Sequence, residues 1–233
     1  PMTKPALLLL HGALGAKIQF EPLTSLLAEH FTVHSVNFEG HGDAPALDRP
    51  FRMEHFIENV LDYLATNNIQ TARVFGYSMG GYVASLLAST FPDKVHSIAT
   101  LGTKFYWDPE TAARETAFLD PDKIKAKVPQ FAATLNARHI AYGWENVLRA
   151  TADLLNTLGE TGGLRAPTLS QIQCPVRVIV GDRDRTIPVP EAHEVYRALP
   201  QGQLQVLPAT PHEFERIDSG QLAQILLSFF ITQ

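Results

Sequence analysis

The chain has 233 residues, a formal charge of −5, and 45% hydrophobic against 18% charged residues, which suits one sizeable core with room for an insertion. That balance excludes a disordered chain, and the lack of any long Lys/Arg run argues against nucleic acid or an anionic membrane as the main partner. The single cysteine, Cys174, allows no intrachain disulfide and, next to Pro175, reads as a small apolar side chain.

Ala6 to Leu10 is a continuous apolar run ending in His11-Gly12, as expected of a strand buried on both faces and far too short to span a bilayer. No basic, long-apolar, small-residue leader precedes it, so a cytoplasmic location is expected. Residues 18 to 30 carry Phe20, Leu23, Leu26 and Leu27 at helical spacing, with Pro22 in the first turn. Phe31 to Asn37 alternates as a second strand, and a Gly/Pro-containing loop runs to about Pro50. Met53 to Asn67 repeats apolar residues at Phe56, Ile57, Val60, Leu61 and Leu64, a helix. Further strands are expected at Thr71–Phe75, Val95–Leu101, Val176–Val180 and Gln203–Leu207, with helices at Glu191–Leu199 and about Glu215–Ile231. Strands alternating with helices across short connections imply right-handed crossovers and an α/β, doubly wound, mainly parallel sheet of about six strands. The alternation stops at 103–165, a helix-prone, aromatic-rich stretch read as a small helical cap inserted between core segments 1–102 and 166–233.

Gly76-Tyr77-Ser78-Met79-Gly80-Gly81 sits between an apolar run and a helix-forming segment, so it reads as strand, sharp turn, helix. A serine between glycines on such a turn is a nucleophile elbow. The serine backbone must be strained to lift its hydroxyl above the sheet, and glycines at 76 and 80 remove Cβ atoms that would clash. Ser78 then stands at a helix N-terminus, where free N–H groups face any developing negative charge.

A serine hydroxyl needs a base, and the base an orienting acid, in loops beyond later strands. The run ending Gly181-Asp182-Arg183-Asp184 offers an acid at 182 or 184, and the run ending Pro208-Ala209-Thr210-Pro211-His212 offers a histidine. His193 is a rival base but falls inside an expected helix, and Asp218 is a third, more distant acid.

With these motifs the chain resembles the α/β-hydrolase superfamily nearly end to end. His11-Gly12-Ala13-Leu14-Gly15 is similar to its H-G-x-x-G oxyanion loop, Gly40-His41-Gly42 to its G-H-G loop and Gly76–Gly80 to its elbow. Leu169-x-x-Ile172-x-Cys174-Pro175 followed by Gly181-Asp182-x-Asp184 resembles its lead into the acid-bearing strand. The resemblance implies a catalytic Ser78, His212 and Asp184, with the Ala13 and Met79 amides as the oxyanion hole. It implies hydrolysis of a carboxylic ester through an acyl-enzyme; the modest, aromatic-rich cap suggests a small or medium substrate, and no metal or nucleotide cofactor is expected. Asn37, Glu39 and Ala44 depart from the family's D-x-R-G-H-G-x-S, and with His11 so early the opening β-hairpin of larger members is expected to be absent. Serine at the nucleophile position argues against the haloalkane-dehalogenase and epoxide-hydrolase reactions, whose family members use aspartate there.

Two other readings remain in view. Relatives with a similar elbow include C–C bond hydrolases and a lyase of menaquinone synthesis, which want a pocket arginine, for which Arg114, Arg138 and Arg149 are candidates. A receptor that keeps the triad without turnover is the other. Leu14, Tyr77, Phe105, Trp107 and Trp144 are expected to line the pocket, although each cap aromatic could equally be core. His11 is read as a pin for the oxyanion loop, and His30, His34, His55, His96 and His139 as solvated or satisfied polar groups. No side-chain cluster has metal-ligand spacing and no phosphate-cradling loop occurs.

Overall fold

The computed structural model describes residues 4–233. Six strands form one sheet: β1 (Ala6–Leu10), β2 (Thr32–Val36), β3 (Ala72–Tyr77), β4 (Val95–Leu101), β5 (Val176–Gly181) and β6 (Gly202–Leu207). Their order is β2-β1-β3-β4-β5-β6 and every pairing is parallel. This is the doubly wound α/β sheet that the strand–helix alternation implies.

The burial of β1 explains why its sequence does not alternate. Leu7 to Leu10 are each at most 1% exposed. Leu7 and Leu9 pack with helices α1 (Glu21–Leu27) and α10 (Ser219–Phe230), against Leu23, Leu27, Leu226 and Phe230. Leu8 and Leu10 face the other way, into the cluster built by α2 (Met53–Thr66) and α3 (Met79–Thr90), with Val60, Leu64, Val83 and Leu87. Burying each of these side chains contributes about 1.5–3 kcal/mol before chain entropy is counted.

Helix ends differ from the periodicity in two places. The first helical segment divides into a 3-10 turn at Lys17–Phe20 and α1, whose first turn carries Pro22. At the C-terminus Phe214–Arg216 is a separate 3-10 turn, Ile217 is extended, and the Asp218 side chain accepts the Gln221 amide at 2.7 Å. A side-chain cap ends the competition for that amide and restarts the helix at Ser219. Asp218 is therefore a helix cap and not an acid in a site.

Between β4 and β5 the chain forms α4 (Pro109–Thr116), α5 (Pro121–Lys127), α6 (Pro129–Arg138), α7 (Trp144–Thr161) and the short α8 (Ala166–Leu169). Asp108 and Asp120 cap α4 and α5 ahead of prolines at the first helical position, an arrangement that supplies the acceptor the free amides need. Part of this excursion has no core of its own: Phe105, Trp107, Ala112, Val147, Leu154 and Leu158 join the main cluster. Ile124, Ala132, Leu135, Trp144 and Leu148 form a smaller one. α9 (Val189–Ala198) then packs on β5 and β6.

β1 connects to β2 on one side of the sheet, and β3 continues to β4 on the other. The switch point thus lies between β1 and β3, where an open α/β sheet offers a crevice beyond its carboxyl ends.

Candidate active site

Ser78 is the single residue between β3 and α3, with φ +50° and ψ −116°, a strained conformation for a residue that carries Cβ. Its surroundings over-determine it. The Ser78 amide donates to Leu101 O at 2.8 Å, and Ser78 O accepts from Thr103 Oγ1 at 2.9 Å and the Gly81 amide at 3.0 Å. A Cβ on Gly76 would lie 2.4 Å from the Gly80 carbonyl carbon, and one on Gly80 would lie 2.1 Å from Leu10 O. Both are backbone contacts that no rotamer change relieves, so glycine is required at each.

The loops after β5 and β6 meet over this turn. Asp184 Oδ1 accepts the Thr186 and Ile187 amides at 2.8 and 2.9 Å, which aims Oδ2 at His212 Nδ1, 2.7 Å away. The carboxylate side chain is 2% exposed. Because a carboxylate oxygen accepts, Nδ1 carries the imidazole proton, and Nε2 turns a lone pair toward Ser78 Oγ at 3.4 Å. The Tyr77 hydroxyl donates to His212 O at 2.9 Å and ties the histidine loop to the strand under the elbow. Burial pushes the Tyr77 phenol well above its ordinary value, so it serves as a neutral donor. The rival groups lie elsewhere. Exposed Asp182 accepts the Thr210 amide at 3.3 Å, and His193 is exposed on α9 beside Tyr196.

The loop after β1 closes a tight turn in which the Gly15 amide donates to Gly12 O at 3.0 Å. His11 Nδ1 donates to the same carbonyl at 2.8 Å while its Nε2 accepts the Phe38 amide at 3.2 Å. Full burial holds this ring neutral, with a pKa lowered from 6.5 to about 3. Gly12 C=O and Ala13 N–H share one peptide plane, so anchoring the carbonyl directs the Ala13 amide the opposite way. Among the described residues the Ala13 amide has no acceptor. Met79 is the first residue of α3, where no intrahelical acceptor exists. In the neighbouring loop Glu39 is buried against Arg49, at 2.6 Å, and Asn59, at 2.9 Å, so this departure from the family pattern is an internally paired brace.

A cavity of about 240 Å³ opens onto Ser78 and His212. Leu14, Tyr77 and Trp107 line it, while Phe105 and Trp144 do not. Phe105, 1% exposed, stacks on Tyr82 in the main core, and Trp144 fills the small cluster between α5, α6 and α7. No motif marks Met53, Tyr82, Lys104, Glu115, Thr151 or Leu155, which also line the cavity from four separate chain segments. None of Arg114, Arg138 and Arg149 reaches it. The cation that does, Lys104, is held by Glu191 at 2.7 Å. A larger open groove of about 720 Å³ runs between α1, the end of β2 and α6, and its lining holds no histidine.

Cys174 is partly buried with its thiol pushed up to about 11 by desolvation, which leaves it an inert packing residue. Among the described residues no group of three or more His, Cys, Asp or Glu is arranged to hold a metal ion, and no helix is long and apolar enough to cross a membrane.

The chain is 29% identical over 222 residues to pimeloyl-[acyl-carrier protein] methyl ester esterase of Chromobacterium violaceum, covering 87% of this chain and 83% of that protein. It is 23% identical over 217 residues to the human serine hydrolase BPHL, covering 89% and 72%. The enol-lactonase of Burkholderia xenovorans LB400 superposes with a TM-score of 0.78 at 19% identity, over 99% of this chain and 92% of that one. Residues 5–215 match the family model of the alpha/beta hydrolase fold, and the chain belongs to that family.

Proposed function

We propose that this chain is a serine hydrolase that cleaves a small or medium carboxylic ester through an acyl-enzyme, with Ser78, His212 and Asp184 as its triad. The observation that carries the reading is the continuous contact from Asp184 through His212 to Ser78, at 2.7 and 3.4 Å, over a backbone strained at the serine. The 3.4 Å gap is longer than a formed hydrogen bond, as resting sites often are, and shortens as the reacting complex tightens.

In this reading His212 Nε2 takes the Ser78 proton as Oγ attacks the carbonyl carbon, and Asp184 holds the imidazole tautomer and stabilises the imidazolium. The Ala13 and Met79 amides receive the oxyanion, where one such donor contributes about 10²–10³ in rate. His212 then protonates the leaving alcohol, and water activated by the same nitrogen releases the acid. The helices between β4 and β5 act as a cap over the nucleophile. A cavity of about 240 Å³ lies just below the roughly 300–1,000 Å³ of ordinary ligand pockets, which favours a short acyl group. The ester chemistry is supported by the likeness to the methyl ester esterase of C. violaceum, whose name gives that reaction. The C–C hydrolase and lyase readings lose their support, because the three candidate arginines lie outside the cavity and Lys104 is already paired.

The test is kcat/KM on p-nitrophenyl esters of increasing acyl length, for the protein and for Ser78→Ala. Values of about 10⁴ M⁻¹s⁻¹ or more that vanish in the variant are expected, with the optimum at short chains. Rates that survive in Ser78→Ala, or that stay below about 10² M⁻¹s⁻¹ at every length, refute the reading.

A further inference from the structure

Leu14 occupies the third position of the Gly12–Gly15 turn at φ +59°, where a left-handed conformation ordinarily calls for glycine or asparagine. Its carbonyl is held from far away in the chain. Two donors at the end of α6 converge on Leu14 O: His139 Nε2 at 2.9 Å and Arg138 Nη1 at 2.9 Å. The tautomer of His139 follows from its other partner, since Nδ1 accepts the Gly42 amide at 3.0 Å and Nε2 must then carry the proton. The ring is buried, 1% exposed, so neither bond competes with water. Arg138 Nη2 continues to Glu215 Oε1 at 3.0 Å, three residues after His212. That carboxylate also accepts from Gln19 Nε2 at 2.6 Å, whose own Oε1 accepts the Ala16 amide at 2.9 Å. One network therefore joins the end of α6, the loop after β1 and the loop that carries His212.

The geometry points to His139 and Arg138 as positioning residues for the oxyanion-binding turn: they hold Leu14 in its strained conformation, so that the Ala13 amide is aimed only while α6 is docked on the first loop. The inference rests on Ser78 being the nucleophile. It makes the insert more than a lid. Lifting α6 removes both donors from Leu14 O, the turn relaxes, and the site loses one of its two amides. Catalytic competence is thereby tied to the docking of α6 on the first loop.

Two isosteric variants separate this role from packing. The amide of glutamine places a nitrogen near the Nε2 position, so His139→Gln keeps the donor to Leu14 O. The shorter asparagine places an oxygen near Nδ1, so His139→Asn keeps the acceptor for Gly42 and loses the donor. With a short-chain p-nitrophenyl ester, His139→Asn lowers kcat by about 10–100-fold with KM within about twofold, the split expected when a group acts only on transition-state geometry. His139→Gln recovers kcat to within about threefold. Arg138→Leu, which removes the second donor, lowers kcat by about 3–10-fold.

Amide exchange at Gly15, whose hydrogen bond closes the turn, supplies a readout independent of activity. Its protection falls in His139→Asn and Arg138→Leu and is kept in His139→Gln. Equal kcat and equal Gly15 protection in the Asn and Gln variants overturn the proposal, and so does an Arg138→Leu protein with normal kcat and normal protection. Wild-type protein without Ser78-dependent turnover refutes the hydrolase reading instead, and Gly15 exchange then decides by itself whether α6 holds the turn.

Discussion

Acidification to pH 5 should unfold this protein more easily through its buried histidines, before its carboxylates titrate. His11 and His139 are buried, and desolvation lowers them from 6.5 to about 3 and about 4 respectively. Neighbouring cations and rings act in the same direction, Arg138 and His139 on His11 and Arg138 on His139. His41, which lies between them at ring distances of 5.0 Å (tilted) and 5.7 Å (edge-on), is also held well below its ordinary value by burial. Each ring is neutral in the fold, whereas in the unfolded chain it binds a proton below about 6.5. The unfolded state thus holds more protons between about 6.5 and the folded pKa, so stability rises with pH in that window and is lost as pH falls through it. Above 6.5 there is no loss.

Each such ring loses about 1.4 kcal/mol per pH unit, which integrates to about 2 kcal/mol between pH 7 and pH 5. His11 and His139 together remove about 4 kcal/mol, a large part of the 5–15 kcal/mol typical of a domain. With a urea m-value of about 3 kcal/mol/M, the midpoint falls by about 1.3 M. The assay is urea unfolding at pH 7.0 and pH 5.0 at constant ionic strength. Removing one titrating ring in His139→Gln should reduce the drop by about half of that two-ring value. A midpoint that moves by less than about 0.3 M would show that these rings are not buried neutral, and the account of the first loop would fail with it.

Three further outcomes follow from the site. Asp184→Asn keeps the side-chain shape but offers an amide where His212 Nδ1–H needs an acceptor, so kcat on p-nitrophenyl esters falls by about 10⁴-fold with little change in KM. Gly80→Ala forces a Cβ to within 2.1 Å of Leu10 O, so circular dichroism melts report a loss of about 3 kcal/mol or more, and labelling of Ser78 by a fluorophosphonate is abolished. Trp107→Phe shrinks a side chain that lines the cavity and removes its hydrogen bond to Lys104 O at 3.2 Å, so the ratio of kcat/KM for a longer acyl chain to that for acetyl rises by about tenfold.

The sheet and the meeting of Ser78, Asp184 and His212 were legible because local patterns determine them. Apolar runs such as Ala6–Leu10 mark buried strands, crossover handedness arranges those strands, and residues just past their carboxyl ends converge at the switch point. Even the choice between Asp182 and Asp184 needed help from resemblance, since both follow β5 and only the turn at Thr186–Ile187 decides which one faces His212. The contents of the cavity were not legible in that way. Phe105, Trp107 and Trp144 are equivalent as letters, yet one stacks in the main core, one lines the cavity and one fills a satellite cluster.

The difference lies in what each residue answers to. A strand-end side chain answers to its own strand, whereas a residue of the insert answers to how amphipathic helices dock on loops more than a hundred positions away. Arg138 and His139 show the consequence. They lie 124 and 125 residues from Leu14, carry no motif, and could be read as a substrate-binding arginine and a solvated or satisfied histidine. Their placement assigns them to the backbone of the first loop instead. Exchange of insert helices between members of the family therefore changes two properties at once, the shape of the cavity and the bracing of the Ala13 turn. An insert grafted without a donor at position 139 should lower kcat on every ester by a similar factor while the acyl-length optimum shifts independently. A graft whose rate loss tracks acyl length would place the whole effect in the cavity and leave the turn with no part in it.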